Sequence, residues 1–184
     1  MATVLPGTTI EVTGIEKGVS RQFFDGIFAA GGITLSQVSV MTGLEPYRIQ
    51  NWVKRGFVSS PLKRQYSRNQ FARIAIINML HDTLQLDRIC DLLSYINGRL
   101  SDESDDLIGD SELYHLYTDM IADTGGIITS QQTIRQAAAK ALAGYAEPVP
   151  GARKRLENVL QVMAYAHYAS IARRAAEETL SHPL

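Results

Sequence analysis

The chain has 184 residues, of which 45% are hydrophobic and 20% are charged. This composition is ordinary for a globular protein and argues against disorder, and the length suits one domain or a small domain with an appended helical part. The sequence has no run of about 18 or more apolar residues, the length that a membrane-spanning helix needs. The first residues lack the basic region and the long apolar segment of a secretory signal. We therefore expect a soluble, cytoplasmic protein that has no membrane partner.

Motifs for catalysis and metal binding are absent from the sequence. Cys90 is the single cysteine, which excludes an internal disulfide and a cysteine-based zinc site. The four histidines are scattered without ligand spacing, and there is no glycine-rich phosphate loop, no His-Glu-X-X-His and no Gly-X-Ser-X-Gly. We expect no enzymatic activity, no catalytic residues, no metal site and no cofactor.

The net charge of −1 conceals a strong asymmetry. The segment from Gly31 to His81 has seven basic residues and one acidic residue, Glu45, which gives it a net charge of +6, whereas the rest of the chain carries −7. A positive segment joined to a negative one is typical of a DNA-binding head with a separate part that does not bind DNA. Chance clustering of basic residues on one solvated face would give the same count.

Two elements are predicted before the basic segment. Residues 1–19 have scattered prolines and glycines and no clear period, which predicts an irregular N-terminal arm. In residues 20–30, aromatic and aliphatic side chains share one helical face, and the glycines at 31 and 32 end this helix. The apolar face needs a surface to cover, either on the following domain or on a second subunit.

The clearest helix signals lie in the basic segment. The four residues from Thr34 to Gln37 form a capping box, in which the Thr hydroxyl and the Gln side chain each accept a hydrogen bond from the other residue's backbone N–H. After a turn at Gly43, Pro46 suits the first position of a second helix, which runs to about Arg55. This order predicts a helix-turn-helix, whose second helix enters the major groove of DNA.

The polar face of the second helix suits groove binding. Arg, Gln and Asn can make bidentate contacts with base edges, and Lys and Arg can neutralise phosphates. An ordinary solvated helix face could have the same composition. The residues on this face are Tyr47, Arg48, Gln50, Asn51, Lys54 and Arg55.

The segment 57–66 follows this helix directly and ends in a basic and aromatic tip. It is short and contains one proline, and residues 57–58 could pair with residues 64–66 as a small two-stranded wing. Together with the two preceding helices, such a wing would complete a winged helix-turn-helix head.

Helical patterns continue after the wing. A capping box at Ser67–Gln70 opens a helix that ends near residue 81, and another helix spans about 86–95. Residues 101–112 form an acidic linker, whose spacing does not fit a calcium loop. Residues 113–184 form a helical region for dimerisation or effector binding.

The last helical segment, from Ala152 to about Leu180, is the longest. Its middle is apolar almost all round, so it is buried on more than one side, either in a small bundle or in a dimer seam, and it has no strict heptad. Aromatic, histidine and methionine side chains of the C-terminal region could line an effector pocket, but core packing is the favoured interpretation. These residues are Tyr114, His115, Tyr117, Met163, Tyr165, His167 and Tyr168.

These pieces together resemble the DNA-binding domain of MerR-type regulators. The matching pieces are Thr34-Leu35-Ser36-Gln37-Val38, Met41-Thr42-Gly43-Leu44, Pro46, Gly56, Arg64-Gln65-Tyr66-Ser67 and Leu86-Asp87-Arg88-Ile89. More narrowly, residues 20–115 are similar to a family of small MerR-like proteins from Gram-positive bacteria, whose domain has no assigned function. The segments that carry this second likeness are Gln50–Gly56, Lys63–Arg68 and Asp102–Asp106.

The resemblance implies an all-α fold with a small β wing and a bacterial transcriptional regulator of duplex DNA. It implies a homodimer that pairs through its C-terminal helices and reads an inverted repeat. By position, Arg48, Gln50 and Asn51 would face bases or nearby phosphates. The chain departs from the MerR pattern in Glu45, where Ser or Thr is common. The residues that we expect to bind DNA are Tyr47, Arg48, Gln50, Asn51, Lys54, Arg55, Lys63, Arg64, Tyr66 and Arg68.

Two other functions stay open at this stage. A protein-interaction module could keep the winged-helix fold without binding DNA, and would use an exposed Trp52 and a flat basic face for an acidic partner. An architectural DNA-binding protein akin to excisionases is disfavoured by the long C-terminal extension. Salt dependence separates DNA binding from the first alternative, because DNA binding weakens steeply as salt rises.

Overall fold

The computed structural model describes residues 3–98, 100, 106–125 and 130–181. The described chain is mostly helical with two small antiparallel sheets, which confirms the expected predominance of helix. No helix of this part is long and apolar enough to cross a membrane. In chain order the elements are β1 (Thr3–Val4), β2 (Glu11–Val12), α1 (Val19–Ile27), β3 (Ile33–Thr34), α2 (Leu35–Thr42), α3 (Pro46–Lys54), β4 (Gln65–Tyr66), α4 (Arg68–Leu80), α5 (Leu86–Asn97), α6 (Asp110–Asp123), α7 (Gln131–Ala141) and α8 (Ala152–Ser181).

Both predicted capping boxes are confirmed. At the start of α2, the backbone N–H of Thr34 donates to Gln37 Oε1 at 2.8 Å, and the backbone N–H of Gln37 donates to Thr34 Oγ1 at 3.4 Å. At the start of α4, Ser67 and Gln70 exchange the same pair of hydrogen bonds. Each box satisfies two backbone donors that a helix start would otherwise leave unpaired, so these two residue pairs fix where the helices begin.

The prediction of an irregular N-terminal arm is wrong for residues 3–12. Strand β1 pairs with β2, and the bend between them is anchored in the core, where Leu5 has no exposed surface. The hydroxyl of Tyr114 donates to the carbonyl of Pro6 at 2.7 Å. Gly7 has φ +70°, and a Cβ at this position would lie 2.0 Å from the carbonyl oxygen of Ala75. The irregular composition therefore reflects a close approach of the backbone to α4.

The predicted pairing of residues 57–58 with residues 64–66 is also wrong. Phe57 and Val58 are both buried, whereas consecutive side chains of a strand point to opposite faces. Instead, β4 pairs with β3, with Tyr66 opposite Ile33. The segment 57–64, which we call the tip loop, therefore leads into a strand that is held against the start of α2, and it folds back on itself only at its end, where Leu62 bridges Gln65.

The acidic linker predicted for residues 101–112 has a different extent. Residues 101–105 lie outside the described residues, and Asp110 and Glu112 belong to the first turn of α6. Acidic side chains are favoured there by the helix dipole. Asp110 also pairs with Arg73 of α4 at 3.2 Å, and both side chains are buried. At least one acid of this stretch therefore belongs to the core and not to a solvated linker.

The C-terminal region packs on α4 to form one continuous hydrophobic core with residues 33–97. Helix α7 is capped by Ser130, whose hydroxyl accepts from the backbone N–H of Thr133 at 3.2 Å. Helix α8 covers nearly the predicted span. Tyr114 and Tyr117 are fully buried, which confirms core packing at these positions.

One buried polar cluster joins α1 to α6. The hydroxyl of Ser20 lies 2.8 Å from His115 Nδ1 and 2.7 Å from the hydroxyl of Thr118, and all three side chains are fully buried. The ring of Phe24 meets the His115 ring edge-on at a centroid distance of 4.8 Å. Burial lowers the pKa of His115 to about 4, so this histidine is neutral near pH 7 and α1 docks without a buried charge.

Replacing Gly7 by Ala tests the close approach of the N-terminal arm. We expect Gly7→Ala to lower the free energy of unfolding by about 2 kcal/mol or more, because the methyl group would clash with backbone at a positive φ. Chemical denaturation monitored by circular dichroism measures this change. Gly14→Ala is the matched control, since nothing lies within 4 Å of the added Cβ. Equal stability of the two variants would contradict the arm's placement.

Candidate nucleic-acid interface

One face of α3 forms a continuous exposed stripe. Tyr47, Gln50, Asn51 and Lys54 stand at positions i, i+3, i+4 and i+7, which share one helix face, and all four are exposed. Tyr47 is 68% exposed although it is aromatic. We call these four residues the α3 stripe. It combines two amides, one ammonium group and one phenol on a surface that no described element covers.

The opposite face of α3 holds the helix in the core. Ile49 is fully buried, and Trp52 is only 3% exposed, with its ring edge-on to His81 at a centroid distance of 6.2 Å. The protein-interaction alternative expects an exposed Trp52, and this expectation is wrong. Because Trp52 packs in the core on the opposite face of α3, the α3 stripe points to solvent.

Two arginines of α3 lie at an edge of the stripe. Arg48 is half-buried, and Arg55 follows two turns later on the same side of the helix. The Arg55 guanidinium lies 4.4 Å from the centre of the Phe57 ring and 3.6 Å from Asp87 Oδ1 of α5. The sequence placed Arg48 with Gln50 and Asn51; in the fold Arg48 is less exposed than the two amides and lies toward the flank of the stripe.

The tip loop ends in a cationic turn with an unusual backbone. Lys63 and Arg64 have φ values of +49° and +66°, and the backbone N–H of Gln65 donates to the carbonyl of Leu62 at 2.9 Å. Two successive positive φ values are typical of a type I′ turn, which favours Asn-Gly. Lys and Arg therefore occupy left-handed positions that cost about 1–2 kcal/mol each for residues with a Cβ. Both side chains are exposed.

A cleft of about 610 Å³ joins the tip loop to the start of α2 and to α3. It brings Lys63 and Arg64 onto the same side of the molecule as Gln50, although Lys63 lies 13 positions after Gln50 in the chain. The sequence did not indicate that the start of α2 belongs to this surface, although the capping box correctly predicted where α2 begins. The lining residues are Thr34, Leu35, Ser36, Gln50, Val53, Pro61, Lys63, Arg64, Gln65 and Tyr66.

Two residues predicted to contact DNA have other roles in the fold. Tyr66 is 3% exposed, because the alternation of β4 places Gln65 outward and Tyr66 in the core beside Ile33. Tyr66 therefore lines the cleft as a core side chain, and we do not expect it to contact DNA. Arg68 forms an ion pair with Asp25 of α1, and its guanidinium lies 6.0 Å from the centre of the Phe24 ring.

The basic segment is thereby divided into paired and available cations. Arg55, Arg68 and Arg73 each pair with an acid from outside the segment. The remaining four form no ion pair with any residue that the structure describes. Within the same described part of the chain, no cluster of His, Cys, Asp and Glu side chains is placed to hold a metal ion. The available cations are Arg48, Lys54, Lys63 and Arg64.

Comparison with known families identifies a match for the middle of the chain. Residues 33–119 match the family described as a domain of unknown function, DUF1836. No curated protein and no solved structure matches the chain. The matched segment contains α2, α3 and the tip loop, so the whole candidate surface lies within it, whereas α1 and the N-terminal arm precede it.

A double substitution in the tip loop tests the backbone cost of its cations. We expect Lys63→Asn with Arg64→Gly to raise the free energy of unfolding by about 1 kcal/mol, because Asn-Gly suits the type I′ turn and the gain exceeds the entropy cost of the glycine. Denaturant titration measures the change. The variant with alanine at both positions is the control, since it removes both charges and keeps residues with a Cβ at the strained positions. If its free energy of unfolding rose as much as that of the Asn-Gly variant, backbone strain would not be the cause.

Proposed function

We propose that this protein is a dimeric, sequence-specific duplex-DNA-binding transcriptional regulator with a MerR-like winged helix-turn-helix head. In this head α2 and α3 are the helix-turn-helix and the tip loop is the wing. The observation that carries the proposal is the placement of Gln50, which belongs to the α3 stripe, and the cationic turn of Lys63 and Arg64 around one cleft. An amide side chain that suits bases thus adjoins cations that suit phosphates.

The dimensions of α3 fit a major groove. Its nine residues make a helix about 13 Å long and about 10–12 Å in diameter with its side chains, and the major groove of B-DNA, about 12 Å wide, admits a helix of that diameter. With the α3 stripe toward the bases, Gln50 and Asn51 present adjacent amides, which pair well with the N6 and N7 edge of adenine. Lys63 and Arg64 then lie beside the groove, where they neutralise phosphates.

The experiment that tests this function is selection from random duplex DNA by the purified full chain at physiological salt. We expect enrichment of an inverted repeat whose half-sites contain adenine at positions set by Gln50 and Asn51. Circular dichroism of the same sample establishes that the protein is folded and helical. Absence of enrichment by folded protein would contradict sequence-specific DNA binding.

Substitutions in the two parts of the surface should have different effects on binding. We expect Gln50→Ala with Asn51→Ala to remove the sequence preference while leaving non-specific affinity largely unchanged, since these amides contact bases. Lys63→Ala with Arg64→Ala should weaken binding to all duplexes alike and flatten the salt dependence, because these cations contact phosphates. Fluorescence anisotropy on the selected and a scrambled duplex measures both. Equal losses on both duplexes for the amide variant would contradict base contact.

The dimer part of the proposal is supported by the exposed face of α8. Val162, Tyr165, Ala169, Ala172 and Ala176 follow one another at alternating spacings of three and four residues, and all five are exposed. This spacing forms a seam suited to a second helix, and it lies opposite the face that packs on the core. All 11 residues from 171 to 181 are exposed, so the end of α8 extends past the core, and a second copy of the chain can cover its apolar side.

A charge placed in this seam should separate the subunits. We expect Ala169→Glu to give a monomer that is still folded, since the position is exposed in the single chain, and to lose its preference for an inverted repeat over a single half-site. Ala175→Glu is the matched control, because position 175 lies about 120° around the helix from position 169. Sedimentation velocity measures the masses. An unchanged dimer with Ala169→Glu would place the interface elsewhere.

A further inference from the structure

An ion pair between two different parts of the chain lies beside the strand that leads back from the tip loop, where Asp25 and Arg68 line a second cleft together with Gly32 and Ser67. Arg68 is the first residue of α4, and only Ser67 separates it from the strand that leads back from the tip loop. Its guanidinium is bound by Asp25 of α1 and lies over the Phe24 ring. The cation that is nearest in sequence to the Lys63 and Arg64 turn is therefore directed toward α1.

Helix α1 is itself held firmly enough to keep this acid in place. Arg21 donates to both carboxylate oxygens of Glu112 at 2.7 and 2.9 Å. The backbone N–H of Gly18 donates to Asp119 at 2.8 Å, and the Phe24 ring is fully buried against Phe71 and Tyr114. Asp25 thus belongs to an anchored helix, while its own carboxylate stays exposed beside the basic surface.

We infer that Asp25 is an intramolecular competitor of DNA phosphate for Arg68, so that the segment preceding the matched family region weakens the protein's binding to DNA. This inference rests on the proposed function. Arg68 lowers the pKa of Asp25, so the carboxylate is charged near pH 7 and occupies the guanidinium. A phosphate that approaches Arg68 must displace Asp25 and also meets its negative charge. The phosphate contacts of the wild-type protein then come from the available cations and not from Arg68.

The number of phosphate contacts can be read from the salt dependence of binding. Each neutralised phosphate contributes about −0.9 to the slope of log K against log salt concentration on B-DNA. We expect Asp25→Asn to steepen the slope by about one contact and to raise affinity several-fold at low salt, because Arg68 is released. Arg68→Ala alone should leave the wild-type slope unchanged. In the Asp25→Asn background, Arg68→Ala should remove the added contact.

Asp91→Asn is the matched control for net charge, since Asp91 is exposed on α5 and forms no ion pair with a described residue. It should leave the slope unchanged. A lower slope for Arg68→Ala in the wild-type chain would overturn the inference, because Arg68 would already contact DNA. A steeper slope that survives in the Asp25→Asn, Arg68→Ala double variant would also overturn it. Failure of the proposed function gives a different result: no duplex binding by the folded wild-type protein at any salt concentration.

Discussion

The candidate surface depends on the hydrogen bond and the ion pair that a buried arginine of α4 forms with the tip loop and with α6. Nine of the 13 residues of α4 are buried, and Arg73 lies among them at 5% exposure. Its Nε donates to the carbonyl of Phe57 at 2.7 Å, and its NH1 pairs with Asp110 of α6. Removal of one partner from a buried ion pair typically costs 3–5 kcal/mol, because the other charge stays desolvated. The base of the tip loop is therefore bonded to the centre of the core.

Local signals in the sequence predicted much of this arrangement. The capping boxes at Thr34 and Ser67 and the proline at position 46 place three helix starts correctly, because they involve residues within a few positions of each other. The outward face of α3 also followed from helical spacing, although Arg48 lies at its edge. Such features depend on one helix alone, and one helix can be read from its own residues.

Features that depend on distant residues were not predictable in the same way. The partner of β4 is β3, about 30 residues earlier, and a pair of two-residue strands leaves almost no alternating pattern in the sequence. The ion pairs of Arg55 and Arg68 join them to acids on other helices, so a count of basic residues overstated the charge available to a ligand. The buried Leu5 and the close approach of Gly7 likewise required knowledge of α4.

The contact of Arg73 has a consequence for how far apart two DNA-reading helices would stand. The tip loop, α4 and α6 are linked by one buried arginine, and α8 packs on the same core. In the proposed dimer, α3 and α8 pack on this same core. The separation of the two α3 helices, and with it the number of base pairs between half-sites, would then be set by side-chain packing in the protein interior. Substitutions far from both DNA and the seam could change which operator spacing is accepted.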